Sequence, residues 1–208
     1  MHEVKELSVE TLRRQLAESR VLLGPHLHLY QVHSATLESG VLDDLAVMHE
    51  LRELRATGLS VGFTVTGPRQ GETIERALEL GVFDAVQATW NLLERGAGSA
   101  LAAARAAGVT VIVKEALANG RLTSRGAIPL LDQAARDAGA TPDAVALAAV
   151  LAQPWAQIVL SGAATVEMLH GNLSGLNLEL DEELLDRLGG LREDSPVYWE
   201  TRAALPWN

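Results

Sequence analysis

The chain has 208 residues, 48% of them apolar and 21% charged, with a formal net charge of −10 and a pI near 5.0. That composition is globular rather than disordered, and the length allows one domain with a full core. An acidic surface works against nucleic acid or an anionic membrane as the main partner, and the lack of cysteine excludes disulfides, thiolate metal sites and cysteine nucleophiles.

No apolar run reaches the roughly 20 residues that span a bilayer. The opening MHEVKELSVE is too charged for a signal peptide, so the expectation is a single domain over 1–208 in the cytoplasm. The elements then follow in order. Residues 8–23 read as a helix capped by Ser8, with Leu12, Leu16 and Leu23 near the helical period and Gly24-Pro25 as the stop. LHLYQVHS alternates as a strand and ends on His33. A helix over 42–56 precedes the β-branched strand LSVGFTVTG, 59–67. Helix 73–80 closes at Gly81, and FDAVQATWN, 83–91, is the third strand. An alanine-rich helix over 97–107 leads into VTVIVKEAL, 109–117. That run is almost continuously apolar, as expected of a parallel strand covered on both faces. A loop, ANGRLTSRGAIP, is followed by helices at 130–138 and 142–152, the second after Thr141-Pro142. AQIVLSGA, 156–163, is the last strand. Helices at 166–173 and 181–191 follow, and the aromatic tail DSPVYWETRAALPWN reads as irregular.

Five strands alternating with helices predict a parallel sheet with right-handed crossovers, either doubly wound or a (β/α) barrel. Neither G-x-G-x-x-G nor a P-loop is present. Chemistry in such folds gathers at the carboxyl ends of the strands. Here those ends are His33-Ser34, Thr64-Val65-Thr66, Gln87 to Asn91, Lys114-Glu115 and Ser161-Gly162, all polar or small after an apolar run. They are candidates for the lining of a pocket.

LHLYQVHSAT, VGFTVTG, FDAVQATWNLLE, VIVKEALANGRLT and IVLSGAATVEMLHGNL, in this order, make residues 8–173 resemble the later part of an aldo-keto reductase. VQATWNLLE and ALANGRLT are the most specific pieces, and the tail VYWETRAALPWN resembles endings of bacterial members. The resemblance implies the last five strands of a (β/α)8 TIM-type barrel, incomplete at its N-terminal side. It also implies reduction of small carbonyl substrates by NAD(P)H.

It assigns roles by position. His33 matches the histidine that holds and polarises the substrate carbonyl oxygen, a task suited to an uncharged imidazole donor. His26, His28, His49 and His170 match no motif, and no metal ligand set is visible. Thr64 and Gln87 match residues that bind the nicotinamide carboxamide, although Val65 stands where asparagine is common. Asn91 closes the same motif and suits a turn or cap role equally. Lys114 occupies a position that carries a stacking tyrosine in many members and a basic residue in others. Leu117 matches a backbone position beside the pyrophosphate. Gly162 and Asn172 belong to the segment for the adenosine end, where the cations of NADPH-preferring members, near Gly162 and Met168, are absent.

The family's tyrosine acid, its lysine and its aspartate come from earlier strands, and no residue here substitutes for them. Tyr30 lies mid-strand, Tyr198 is in the tail and Lys5 precedes the first helix. Two consequences are expected. As a reductase the chain is weak or inactive alone, since proton delivery by a tuned acid is worth roughly 10²- to 10⁴-fold. An opened barrel should expose inner faces rich in Val, Ile and Leu, favouring self-association or a partner that covers them. The alternative is a non-catalytic relative acting as a binding or regulatory protein. Substrate specificity is left to the loop 118–129 and to a tail whose Trp199 and Trp207 offer flat apolar walls or simply pack.

Overall fold

The computed structural model describes residues 6–206; Lys5 and Trp207 lie outside them. Helix α1, Val9–Leu23, starts where Ser8 Oγ accepts the Thr11 amide N–H at 3.3 Å. Strand β1, Leu29–Ala35, follows. Then come α2, Leu45–Ala56, capped by Asp44, and β2, Ser60–Val65. Helix α3 runs Gln70–Leu80, β3 Ala85–Thr89, α4 Gly98–Ala106 and β4 Thr110–Lys114. Two helices, α5 Pro129–Asp137 and α6 Pro142–Leu151, precede the short β5, Ile158–Val159. The chain ends with α7 Val166–Ser174, α8 Glu182–Gly189 and α9 Ser195–Ala204.

The five strands form one parallel sheet in chain order, β1-β2-β3-β4-β5, with β1 and β5 at its edges. Register fixes two opposed faces, because paired residues of parallel strands point the same way. Val32, Phe63, Val86 and Val111 share one row, and Ala88, Val113 and Val159 the next. Most of these belong to one buried cluster with Leu12, Leu16, Leu51, Ile74 and Leu101 of the covering helices. The other face carries Gln31, Gly62, Ala85 and Thr110 in one row. Thr64, Gln87, Ile112 and Ile158 form the next, and Thr89 with Lys114 the last.

This corrects the expectation of an inner face rich in Val, Ile and Leu. Those side chains are spent on the helix-covered face, and the opposite face is built of small and polar residues with two isoleucines. Gly62 shows how tightly it is built. A Cβ there would lie 2.9 Å from the Ala85 carbonyl oxygen and 3.2 Å from the Gln31 side chain, so only glycine fits. Exposed apolar residues concentrate instead around β5 and α7, at Ile158, Leu160, Val166, Leu169 and Leu173.

The tail is the second correction. Pro196 in the first turn opens a regular helix over 195–204, and Tyr198 and Trp199 are buried in a second cluster with Leu92, Leu122, Leu131, Val145 and Leu188. Trp199 is therefore a packing residue, its ring edge-on to Tyr198 at 5.7 Å. Among the described residues no helix is long and apolar enough to cross a membrane.

Candidate active site

The carboxyl ends of β1 to β4 place four of the singled-out residues along one rim. At the end of β1 the pairing with β2 slips. Val32 pairs with Phe63 but Ala35 with Val65, so His33 and Ser34 together stand opposite Thr64. This is a bulge, a device that re-aims a side chain at a strand end. Ser34 takes φ +50°, rare for a residue with a side chain. Its amide N–H donates to Thr64 Oγ1 at 2.7 Å, which holds the kink. His33 is exposed and lies 3.4 Å (Nε2) from Ser34 Oγ.

Thr64 and Gln87 are direct register partners on β2 and β3. Gln31 Nε2 donates to Gln87 Oε1 at 3.4 Å, and Gln31 Oε1 is buried with no hydrogen-bond partner among the described residues. One row higher, Lys114 pairs with Thr89, whose buried hydroxyl also lacks a partner. Burial pushes the Lys114 amine below the usual lysine range; Glu115 works against that shift and Arg202 adds to it.

The other singled-out residues lie elsewhere. Asn91 is buried and its amide is fully used. Oδ1 accepts the Leu93 and Glu94 N–H groups at 2.9 and 3.0 Å, and Nδ2 donates to the Glu115 carbonyl at 2.9 Å and to Tyr198 Oη at 3.0 Å. It ties the loop after β3 to β4 and α9, a structural post with no group left for a ligand. Leu117 packs between the two hydrophobic clusters, and its carbonyl accepts the N–H groups of Gly120 and Leu122. Gly162 takes φ +63° after β5. Asn172 on α7 donates to the Ser161 carbonyl and hydroxyl at 3.0 and 2.9 Å, fastening α7 to that turn. Asp143 approaches Gly171 there, where a Cβ would lie 3.1 Å from its carboxylate.

Two features escaped the sequence reading. Gln31 shares the open face with Gln87, and its place two residues before His33 in an alternating strand was the available signal. The ion pair of Arg202 with Glu115, three contacts of 2.6 to 3.0 Å, joins positions 87 apart and had no local signal. Both tyrosines point away from the rim. Tyr30 Oη donates to the Leu12 carbonyl behind the sheet, and Tyr198 is buried against Asn91. Beside β1, a cavity of about 130 Å³ is lined by Ser8, Leu12, Tyr30, Gln31, His33 and Val47, among others. Among the described residues no group of three or more His, Cys, Asp or Glu side chains is placed to hold a metal.

Comparison with solved structures places this architecture. A provisionally assigned 2,5-diketo-D-gluconic acid reductase B superposes with a TM-score of 0.73 at 24% identity, over 90% of this chain and 64% of its own. An aldo-keto reductase from Bacillus halodurans in its holo form gives 0.70 at 19% identity, over 91% and 69%. A thermostable aldo-keto reductase in complex with the inhibitor epalrestat gives 0.68 at 26%, over 89% and 67%. The chain thus spans less than two thirds of the first of these. No curated protein matches the sequence. The model of the Aldo/keto reductase family matches residues 1–193, and with the parallel sheet and its strand-end rim this shows that the chain belongs to the aldo/keto reductase family.

Proposed function

We propose that the chain carries the nicotinamide-facing part of an NAD(P)H-dependent carbonyl reductase, weak or inactive as it stands. The observation that carries this reading is the rim, where His33, Thr64, Gln87 and Lys114 end adjacent strands on one face of the sheet. The fit to the cofactor is uneven. At the nicotinamide end the Gln87 amide and the orphaned Gln31 Oε1 form a donor–acceptor pair that a carboxamide complements. At the adenosine end the turn 161–165 and the start of α7 offer apolar residues and a nearby Asp143 rather than a cation, so a ribose phosphate finds no charge partner. The reading therefore favours NADH over NADPH.

A bound cofactor would supply hydride. The chain's own contribution is to orient the ring through Gln87 and Thr64. His33, aimed by the bulge, would hold the substrate carbonyl oxygen as a neutral donor. The rim has no hydroxyl acid, because both tyrosines are engaged elsewhere. A missing tuned acid leaves turnover roughly 10²- to 10⁴-fold short of a complete site. In this reading the acid is supplied outside the described rim, by a segment or partner that also pairs with the open edges β1 and β5 and covers the apolar residues near α7.

The test is titration of the purified chain with NADH and NADPH, followed by fluorescence, and then turnover of a simple aldehyde. Saturable binding lost in Gln87→Ala supports the reading. No binding at millimolar cofactor sinks it. The second reading, a non-catalytic relative that serves as a binding or regulatory protein, rests on the missing acid and on the uncharged adenosine end. It requires that His33→Ala leave all measurable activity unchanged.

A further inference from the structure

Of the 17 basic residues of this chain only two are lysines, Lys5 and Lys114. Wherever a fixed surface charge pairs with a carboxylate among the described residues, the cation is an arginine: Arg13 with Glu50, Arg55 with Asp84, Arg69 with Glu72, Arg76 with Asp43. Arginine holds its charge in every setting, whereas a lysine amine can lose its proton and act as a nucleophile. Lys114 stands half-buried at the end of β4, on the polar face of the sheet.

The carboxylate beside it is hydrogen-bonded by another cation. The adjacent carboxylate, Glu115, sits at φ +55° and is gripped by Arg202 through three short contacts. The Lys114 amine makes no hydrogen bond or ion pair among the described residues; burial disfavours its charged form, the nearby Glu115 carboxylate favours it, and the Arg202 guanidinium opposes it. The register partner Thr89 contributes a buried hydroxyl that is also unpaired. A half-buried amine that makes no hydrogen bond or ion pair, beside an orphan hydroxyl, is the arrangement of a nucleophile.

We propose that Lys114 is a carbonyl-reactive amine that forms an imine with small aldehydes. The Nζ lone pair makes a bond to the carbonyl carbon as the carbon–oxygen π bond breaks and the oxygen takes a proton. The resulting carbinolamine loses its hydroxyl as water, with the nitrogen giving up its remaining proton, and the carbon–nitrogen double bond is left. No oxidant or reductant is consumed. The Thr89 hydroxyl, unpaired and one strand away in register, donates to the carbinolamine oxygen. The reaction needs no nicotinamide cofactor, so it stands apart from the reductase reading.

The experiment is trapping of the full chain with propanal and sodium cyanoborohydride at neutral pH, in the absence of cofactor. Nα-acetyl-lysine amide in the same tube is the reference. Peptide mass spectrometry then follows alkylation at Lys114 separately from Lys5 and the N-terminal amine. The expected result is alkylation of Lys114 faster than the reference, since a lowered amine pKa raises its free-base fraction at neutral pH. Its pH–rate midpoint lies below the ordinary lysine range, and the advantage vanishes in denaturant. Lys114→Arg abolishes the label in the β4 peptide while keeping the charge. Alkylation of Lys114 at or below the reference rate, or an advantage that survives denaturation, overturns the proposal. Failure of cofactor titration leaves it untouched, and its own failure leaves the cofactor reading standing.

Discussion

The two faces of the sheet are made by the same strands and differ in almost every physical respect. On one face Val32, Phe63, Val86 and Val111 lie in register and are sealed by helices. On the other, Gln31, Gly62, Thr64, Gln87 and Lys114 lie one residue over and are small or polar. The first face supplies the free energy that holds the chain together, through burial worth roughly 25 cal/mol per Å² of apolar surface. The second holds the unpaired Gln31 Oε1 and Thr89 hydroxyl and the amine of Lys114. Stability and chemistry are thus separated by the period-2 alternation of a strand, and a shift of one residue along β2 crosses from one to the other.

Neighbouring substitutions sharpen that contrast. The largest loss is expected from Phe63→Ala, which removes a fully buried ring packed 4.6 Å from Phe83 at a tilt of 51°. It should cost about 3–5 kcal/mol, read as a drop in the denaturation midpoint. Asn91→Ala comes next at about 2–3 kcal/mol, because each buried donor left without an acceptor costs roughly 1–3. Here the Leu93 and Glu94 amides and the Tyr198 hydroxyl all lose a partner. Near-UV circular dichroism should report the loosening of Tyr198 and Trp199 in that variant.

Thr64→Val, one residue beyond Phe63, should cost only about 1 kcal/mol, the worth of one ordinary hydrogen bond, since the Ser34 amide alone loses its acceptor. If Phe63→Ala and Thr64→Val destabilise equally, the division between faces is wrong. His33→Ala should be the mildest in stability, within about 0.5 kcal/mol, because the ring is exposed. Any cofactor-dependent turnover should nevertheless disappear with it. A large stability loss from His33→Ala would make the histidine a packing residue and remove the role given to it.

How much of this was legible beforehand can be judged from particular residues. Ser8 as the cap of α1 and Pro142 at the start of α6 were readable, because capping and proline chemistry act within one turn. All five strands were readable as well, although β5 pairs over two residues where eight were predicted. The helix over the tail was hidden by its aromatic content, since Tyr198 and Trp199 carry its buried face against a cluster drawn from α5, α6 and α8.

The sequence by itself determined the order and number of the strands, their parallel pairing, and the set of residues at their carboxyl ends. Those follow from local periodicity and from connection lengths. Only the tertiary structure decided which side of each strand would be covered, because alternation distinguishes two faces without saying which receives the helices. It alone placed the bulge that kinks the strand at His33-Ser34, since that slip exists only between β1 and β2. It alone removed Asn91 from the rim by using all of its amide, and gave the hydrogen bonds of Glu115 to Arg202 rather than to Lys114. Those outcomes depend on side chains tens of residues apart in the chain, and no short-range rule acts over that distance.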